Sequence, residues 1–254
     1  MAPESIRSQA RPLIRRVEVV MPAHDEERHL KQALDALRAA VEAVVQRKPA
    51  TVVGITVVLD HCTDRSAEIV ARFASLDHRI TMMHQRFHNA GASRAAGISA
   101  ALRGRQSELA GTWLASTDAD SCVPESWLWR QLEFADAGWD VVLGSVEPDP
   151  GDVDPELLRR WRVKHPFEED HPHVYGANLG VRASAYLLAG GFPELRSAED
   201  KVLVDRLRRR GCAVVATDST RVLTSGRTSA RAPHGFGAYL RALGVETAAA
   251  LRSG

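Results

Sequence analysis

Asp118 and Asp120 stand one residue apart in the stretch Ser116-Thr117-Asp118-Ala119-Asp120-Ser121. The apolar run Trp113-Leu114-Ala115 precedes them; Pro124 and a helix-like segment from about Glu125 follow. This reads as a strand ending in two carboxylates. Residues i and i+2 of a strand point the same way, so both acids can reach one crevice. Neighbouring hard oxygen donors suit Mg²⁺ or Mn²⁺, ions that also take ligands from substrate phosphates. Open α/β sheets bind ligands in the crevice beyond the carboxyl ends of their strands. An ordinary acidic turn would carry the same pair, so the meaning of these acids depends on the rest of the chain.

Three more loops carry groups of the right kind. Pro22-Ala23-His24-Asp25-Glu26-Glu27 follows the β-branched run Val17–Met21. Asp60-His61-Cys62-Thr63-Asp64 closes the apolar run 52–59. Asp60 and Asp64 can accept hydrogen bonds from a base or ribose, with helix capping as the plainer use. In the third loop, Gly91 to Gly97, Arg94 sits among small residues at a helix start, where it can meet a diphosphate by charge and fork geometry. Glu199 and Asp200 open an amphipathic helix whose apolar side is Val202, Leu203 and Leu207 and which Gly211 closes. His171, His173 and His234 are late histidines of unassigned use, and Trp161 is a candidate sugar-stacking ring.

The elements that must position these groups alternate. Strands are expected at 17–21, 52–59, 80–83, 113–115 and 141–146, and around Val214 and Val215. Helices are expected through Leu30–Val44, Ala67–Phe73, the Ala-rich stretch ending at Leu102, the segment after Glu125, and 157–163. Gly176 to Arg182 is read as leading into a helix over 185–189, which Gly190-Gly191-Phe192 breaks. Residues 147–173 are read as an irregular excursion, and the tail ends in an Ala-rich helix. Strand and helix alternating through short loops give an α/β chain with a mostly parallel sheet, whose carboxyl-end loops converge on one edge.

Composition narrows the class. The 254 residues, 44% hydrophobic, suffice for one large domain. With 33 basic and 32 acidic residues interspersed, a net charge of +1 gives no pull toward nucleic acid. Cys62, Cys122 and Cys212 are too scattered for a disulfide framework or a thiolate metal site, and a reduced, cytoplasmic setting is expected. Residues 1–16 are polar, and no run approaches the ~18 apolar residues of a membrane span. Peripheral contact with a membrane stays open.

The motifs taken in order carry a resemblance. Val19 to Glu27 resembles the opening motif of family 2 glycosyltransferases of the GT-A fold. Asp60-His61-Cys62-Thr63-Asp64 resembles their second acidic motif, Gly91 to Gly97 their helix-start motif, and Asp118-Ala119-Asp120 their metal-binding DXD. Gly176-Ala177-Asn178 through Arg182, Gly190-Gly191-Phe192 and Glu199-Asp200 resemble their acceptor-half signatures. The resemblance covers about residues 17–215 and departs at two positions: Leu59 stands where an acid is common, and Ala96 where Asn is usual.

The resemblance implies a GT-A fold, a Rossmann-like sheet with helices on both faces. It implies one catalytic domain over 17–225, split into a nucleotide half (17–122) and an acceptor half (123–225). Around it lie a polar segment, 1–16, and a tail, 226–254, that serves as lid and helix. It implies a UDP-, GDP- or dTDP-sugar donor, Mn²⁺ or Mg²⁺, and an acceptor hydroxyl. Pro22, Ala23, His24 and Glu26 would hold the nucleotide with Arg94, and Asp60 would contact the base. Asp118 with Ala119 would face ribose and diphosphate. Asp120 would hold the metal, with a late histidine as a further ligand, His234 first and His171 or His173 as other candidates, and Arg227 and Arg231 near the phosphates. Asp200 would be the general base of an inverting transfer, with Glu199 lining the acceptor site. A retaining enzyme similar to glucosyl-phosphoglycerate synthases, or a non-catalytic nucleotide-sugar-binding module, is the alternative. A sugar nucleotidyltransferase or a haloacid-dehalogenase-type phosphatase would place its signature after the first strand, and a dinucleotide dehydrogenase would carry Gly-x-Gly-x-x-Gly there; residues 22–27 have neither.

Overall fold

Val17, Val19 and Met21 face one side of the first strand and pack into one apolar cluster, while Val20 between them packs into another. The second strand repeats this with Val53, Ile55, Val57 and Leu59 against Val58. A strand apolar on both sides must be covered on both sides, and here a sheet between two helical layers provides this. The computed structural model, which describes residues 11–228 and 235–252 with side chains as far as 245, has this architecture.

The strands are β1 (Arg16–Ala23), β2 (Val52–Asp60), β3 (Ile80–Gln85), β4 (Thr112–Ser116), β5 (Ser121–Cys122), β6 (Val141–Pro148), β7 (Leu179–Arg182) and β8 (Val214–Thr224). The helices are α1 (Leu30–Arg47), α2 (Ser66–Leu76), α3 (Ala90–Ala101), α4 (Trp127–Asp136), α5 (Pro155–Lys164), α6 (Ala183–Leu188), α7 (Glu199–Arg209) and α8 (Phe236–Arg252). The sheet order is β3-β2-β1-β4-β7-β6-β8-β5. β3, β2, β1 and β4 are parallel, as are β6 and β8, whereas β7 runs against both its neighbours. Helices α1, α2 and α4 cover one face through Leu34, Leu37, Val41, Phe73, Trp127 and Leu132. The other face carries α3, α6 and α7 through Ile98, Tyr186, Leu203 and Leu207. The helix expected in the tail is α8, whose Leu240 and Leu243 pack on Leu157 and Trp161 of α5. Among the described residues no helix is long and apolar enough to cross a membrane.

Two strands depart from the sequence reading. Gly176 to Arg182 does not lead directly into a helix: residues 176–178 form one 3₁₀ turn, and Leu179–Arg182 is strand β7, wedged between β4 and β6. Its four residues are too few to show alternation, and Gly180 reads as a breaker. A Cβ on Gly180 would lie 2.3 Å from Gln131 Oε1 and 2.6 Å from the Trp113 ring, so the glycine makes room for two buried side chains. β5 is two residues long and pairs with the end of β8 directly after the Asp118/Asp120 pair.

Candidate functional site

The carboxyl ends of β1, β2, β3 and β4 share one edge because the strands are parallel. Pro22 and Ala23 end β1, and the chain then ties itself to the β2 loop. His24 Nδ1 lies 2.6 Å from the Asp60 carbonyl oxygen. Asp25, at φ +50°, accepts the Thr63 and Asp64 amides at 2.7 and 3.2 Å, and these hold its carboxyl below the usual range. The Glu26 amide donates to Ser66 Oγ at 2.9 Å. Asp64 accepts the Ser66 and Glu27 amides, so it supports the start of α2 and the first loop together.

Asp60 is buried at the end of β2. Its Oδ1 accepts the amides of Phe87 (2.6 Å) and His88 (3.0 Å), and its Oδ2 accepts the Asn89 amide (2.8 Å) and the Ser93 hydroxyl (3.0 Å). Burial works against the charged form, but these donors outweigh it and lower the pKa.

Arg94 is not a solvated helix residue: it is 3% exposed in the second turn of α3. Its Nη1 is 2.7 Å from Glu199 Oε1 and its Nη2 2.5 Å from Asp118 Oδ1. Burial opposes its charge, yet Asp118, Glu199 and Asp200 hold the guanidinium firmly protonated. Burial pushes the Glu199 carboxyl upward, with Arg94 drawing it back. Two glycines permit this approach. A Cβ on Gly176 would lie 2.7 Å from Arg94 Cζ, and one on Gly91 would lie 2.6 Å from Glu199 Cγ. Ala198 enters α7 in the left-handed region at φ +60°. Asp200, half-buried, accepts the Gly176 amide on Oδ2 and the Lys201 amide on Oδ1, both at 2.7 Å. The turn before β7 therefore touches Asp200 by its backbone and Arg94 by its missing side chain.

Asp120 meets a second arginine. Arg227 Nη2 is 2.7 Å from Asp120 Oδ2, and the same guanidinium grips Glu26 at 2.7 and 2.8 Å. Burial pushes the Asp120 carboxyl up to about 6; Arg227 pulls against this, and Asp118 and Glu26 add to it. Ala119 between the two acids is buried. A half-buried carboxylate paired with a cation, next to a second carboxylate, is a donor set of the hard-oxygen type that Mn²⁺ and Mg²⁺ take. Arg227 thus stands in for a cation at Asp120, and the residues fit such an ion.

His234 and Arg231 lie outside the described residues. His171 and His173 sit in an aromatic cluster: ring centroids are 5.9 Å apart for His171 and His173, 4.5 Å for His173 and His165, and 3.7 Å for His165 stacked on Trp161. Trp161 is buried in this stack. Asn178, in the turn before β7, is also buried: it accepts the Trp127 indole N–H at 2.8 Å and donates to the carbonyls of Ser145 and Thr220 at 2.8 and 2.7 Å. The sequence offered the Gly-Ala-Asn triplet as a signal but not this pinning role.

Comparison with known proteins follows the same lines. A family model described as glycosyl transferase family 2 matches residues 18–188. Glycosyltransferase GlyA of Streptococcus pneumoniae serotype 4 is 26% identical over 113 residues, 44% of this chain and 14% of that relative's length. The mannosyltransferase PcManGT from Pyrobaculum calidifontis, solved with GDP-Man and Mn²⁺, superposes with a TM-score of 0.59 at 18% identity, covering 99% of this chain and 70% of that one. GalNAc-T7 with UDP, GalNAc and Mn²⁺ gives 0.61 at 12% identity, over 86% and 46%. Mannosyl-3-phosphoglycerate synthase from Rubrobacter xylanophilus gives 0.51 at 15%, over 93% and 73%. At these identities the likeness is one of fold, and the fold is GT-A.

Proposed function

Because the chain belongs to glycosyl transferase family 2, we propose that it moves a sugar from a nucleotide-diphosphate donor to an acceptor hydroxyl, with a divalent metal at Asp120. The observation that carries this reading is the buried Arg94 guanidinium. It touches Asp118 of the first acid pair and Glu199 of the second, so charge for a diphosphate and a base for an alcohol lie around one cation.

The residues divide the work as follows. Pro22, Ala23, His24 and Glu26, with the Asp60 loop, bound the nucleotide. Asp118 and Ala119 face the ribose and diphosphate, and Asp120 holds the metal with Asp118 beside it. Bound there, Mn²⁺ or Mg²⁺ would supply Lewis-acid neutralisation of the leaving diphosphate. The support for a nucleotide sugar and Mn²⁺ includes neighbours of the same fold solved with GDP-Man or UDP and Mn²⁺. Arg94, buried between Asp118 and Glu199, fixes the donor-side and acceptor-side acids relative to each other. Asp200 is the general base. Glu199 is committed to Arg94 and buried, whereas each Asp200 oxygen accepts one amide and keeps a lone pair for the acceptor hydroxyl. A base acting opposite the leaving group gives inversion at the anomeric carbon.

A thermal-shift panel of UDP, GDP and dTDP and their sugars, with and without Mn²⁺, tests donor and metal. A metal-dependent shift for one nucleotide is expected, and no shift with any of them overturns the reading. Asp200→Asn is expected to lower kcat about 10²–10⁴-fold while nucleotide affinity holds. Unchanged turnover removes Asp200 from the base role, and a product of retained configuration by NMR removes the inversion.

A further inference from the structure

Six rings meet where α5, the chain that follows it and α8 come together. His165 stacks on Trp161 with centroids 3.7 Å apart, His173 lies 4.5 Å from His165, and Tyr175 lies 5.9 Å from His173. His171 adjoins His173 at 5.9 Å, and Tyr239 of α8 stands edge-on to Trp161 at 5.7 Å. Four polar atoms of this nest are buried without a hydrogen-bond partner among the described residues: both ring nitrogens of His171, the Tyr175 hydroxyl and the Trp161 indole nitrogen. His171 is 3% exposed and Trp161 1%. A buried polar group left unmatched costs about 1–3 kcal/mol, so four in one cluster point to a ligand that matches them. The nest also adjoins both ends of the site. Tyr175 precedes Gly176, whose amide donates to Asp200 at 2.7 Å. At the other end Val153 packs on the same cluster, and a Cβ on Gly226 would collide with it. The amide of the preceding residue, Ser225, donates to the Asp120 carbonyl at 3.0 Å.

We propose that this nest holds the acceptor, that the acceptor is an uncharged saccharide, and that Tyr175 and His171 select it by hydrogen-bonding its hydroxyls. A sugar ring offers C–H faces to aromatic rings and hydroxyls that both donate and accept. These match indole and phenol donors and neutral imidazoles. Burial lowers the pKa of His165 and of His173, which keeps these rings uncharged at neutral pH. A phosphorylated acceptor needs a cation free to pair with its charge. The arginines of α5 are already paired, Arg159 and Arg160 with Glu156 and Arg162 with Glu147. The exposed Lys164 and Glu168 act on His165 and His173 with opposite sign. Tyr239, 41% exposed, marks the side from which a ligand enters. This assignment rests on the glycosyltransferase reading above and names the class of its acceptor.

The experiment measures release of nucleoside diphosphate by the full chain with Mn²⁺ and the nucleotide sugar that the thermal-shift panel selects. Glucose, mannose, galactose and maltose are compared with 3-phosphoglycerate as acceptors. At least one saccharide is expected to raise release above the rate of donor hydrolysis, and 3-phosphoglycerate is not. Tyr175→Phe and His171→Phe are each expected to raise the KM for that saccharide about tenfold, with the change in KM rather than kcat and with nucleotide affinity as in wild type. Tyr175→Phe deletes a hydroxyl that has no partner in the fold, so its Tm should not fall, and it tests the idea even if His171→Phe fails to fold. Stimulation by 3-phosphoglycerate alone, or by none of these acceptors while nucleotide still binds, overturns the acceptor class and leaves the glycosyltransferase reading standing. A Tyr175→Phe variant with wild-type KM, or with lowered kcat at an unchanged KM, overturns the selecting role. If wild type binds no nucleotide sugar, the glycosyltransferase reading falls and this assignment falls with it.

Discussion

Replacing Arg227 by Met removes the guanidinium that bridges Glu26 and Asp120 and keeps its apolar stem. The buried Glu26 and the half-buried Asp120 then share a site with the His29 ring, 3.3 Å from Glu26, and no guanidinium. Breaking a buried ion pair by deleting one partner costs about 3–5 kcal/mol. The Arg227 side chain is 26% exposed, so the lower end applies, about 3 kcal/mol. For a domain of this size that lowers Tm by about 6–12 °C. If Asp120 holds the metal as proposed, the same deletion removes the metal's competitor. A charge-assisted hydrogen bond of the Arg227–Asp120 kind contributes about 1.5–3 kcal/mol, so Mn²⁺ should bind Arg227→Met roughly tenfold more tightly than wild type or better. Differential scanning fluorimetry with and without Mn²⁺, and calorimetric titration of Mn²⁺ without nucleotide at pH 8, read both effects. A variant as stable as wild type, with unchanged Mn²⁺ affinity, refutes the idea that arginine and metal contend for Asp120.

Other outcomes follow from single contacts. Asn178→Ala strips three hydrogen bonds from the centre of the sheet and leaves the Trp127 N–H and two carbonyls unmatched, so urea denaturation should show a loss of about 3–5 kcal/mol. Gly176→Ala puts a methyl 2.7 Å from Arg94 Cζ. A shift of the guanidinium on the ångström scale should lower kcat/KM about 10²-fold, with the fold intact by circular dichroism. Burial pushes the His165 ring down to about 4. Between that value and its unfolded pKa of about 6.5, the unfolded chain takes a proton that the native chain refuses, so stability present at pH 7 drains away as pH falls toward 4. The full shift equals about 3 kcal/mol, and solvent access to the ring reduces it to about 1–2. His165→Phe keeps the stack on Trp161 and should flatten the pH profile by that amount; an unchanged profile would clear His165 of the effect.

Some of this molecule was written in local pattern. β1 and β2 are legible because both their faces are apolar; Asp118 and Asp120 are legible as acids following a short apolar run, but they lie in the turn after β4 and not on the strand, so strand alternation does not place them. Arg94 stands out among small residues at a helix start, but the room for its guanidinium comes from Gly176, 82 positions further on. Other features depend on partners distant along the chain. The donors that saturate Asp60 come from 27 to 33 positions downstream, and Arg227 reaches Glu26 across 201 positions. No window along the sequence contains such pairs. β7 stayed hidden because its glycine makes space for Trp113 and Gln131, and that space exists only once β4 and α4 are in place. The left-handed turns at His61 and His88 likewise carry no glycine or asparagine signal.

The reversed strand β7 has a bearing on how such a chain can diversify. It is paired on both sides, through Leu114–Val181 with β4 and through Val142–Gly180 with β6, so its position is locked by the sheet. The long connection between β6 and the turn before β7, residues 149–175, hangs outside that lock. On the proposed function, side chains grafted there would alter which acceptor is admitted while the donor end stays fixed. Chimeras exchanging that connection between relatives should keep nucleotide binding and trade acceptor preference.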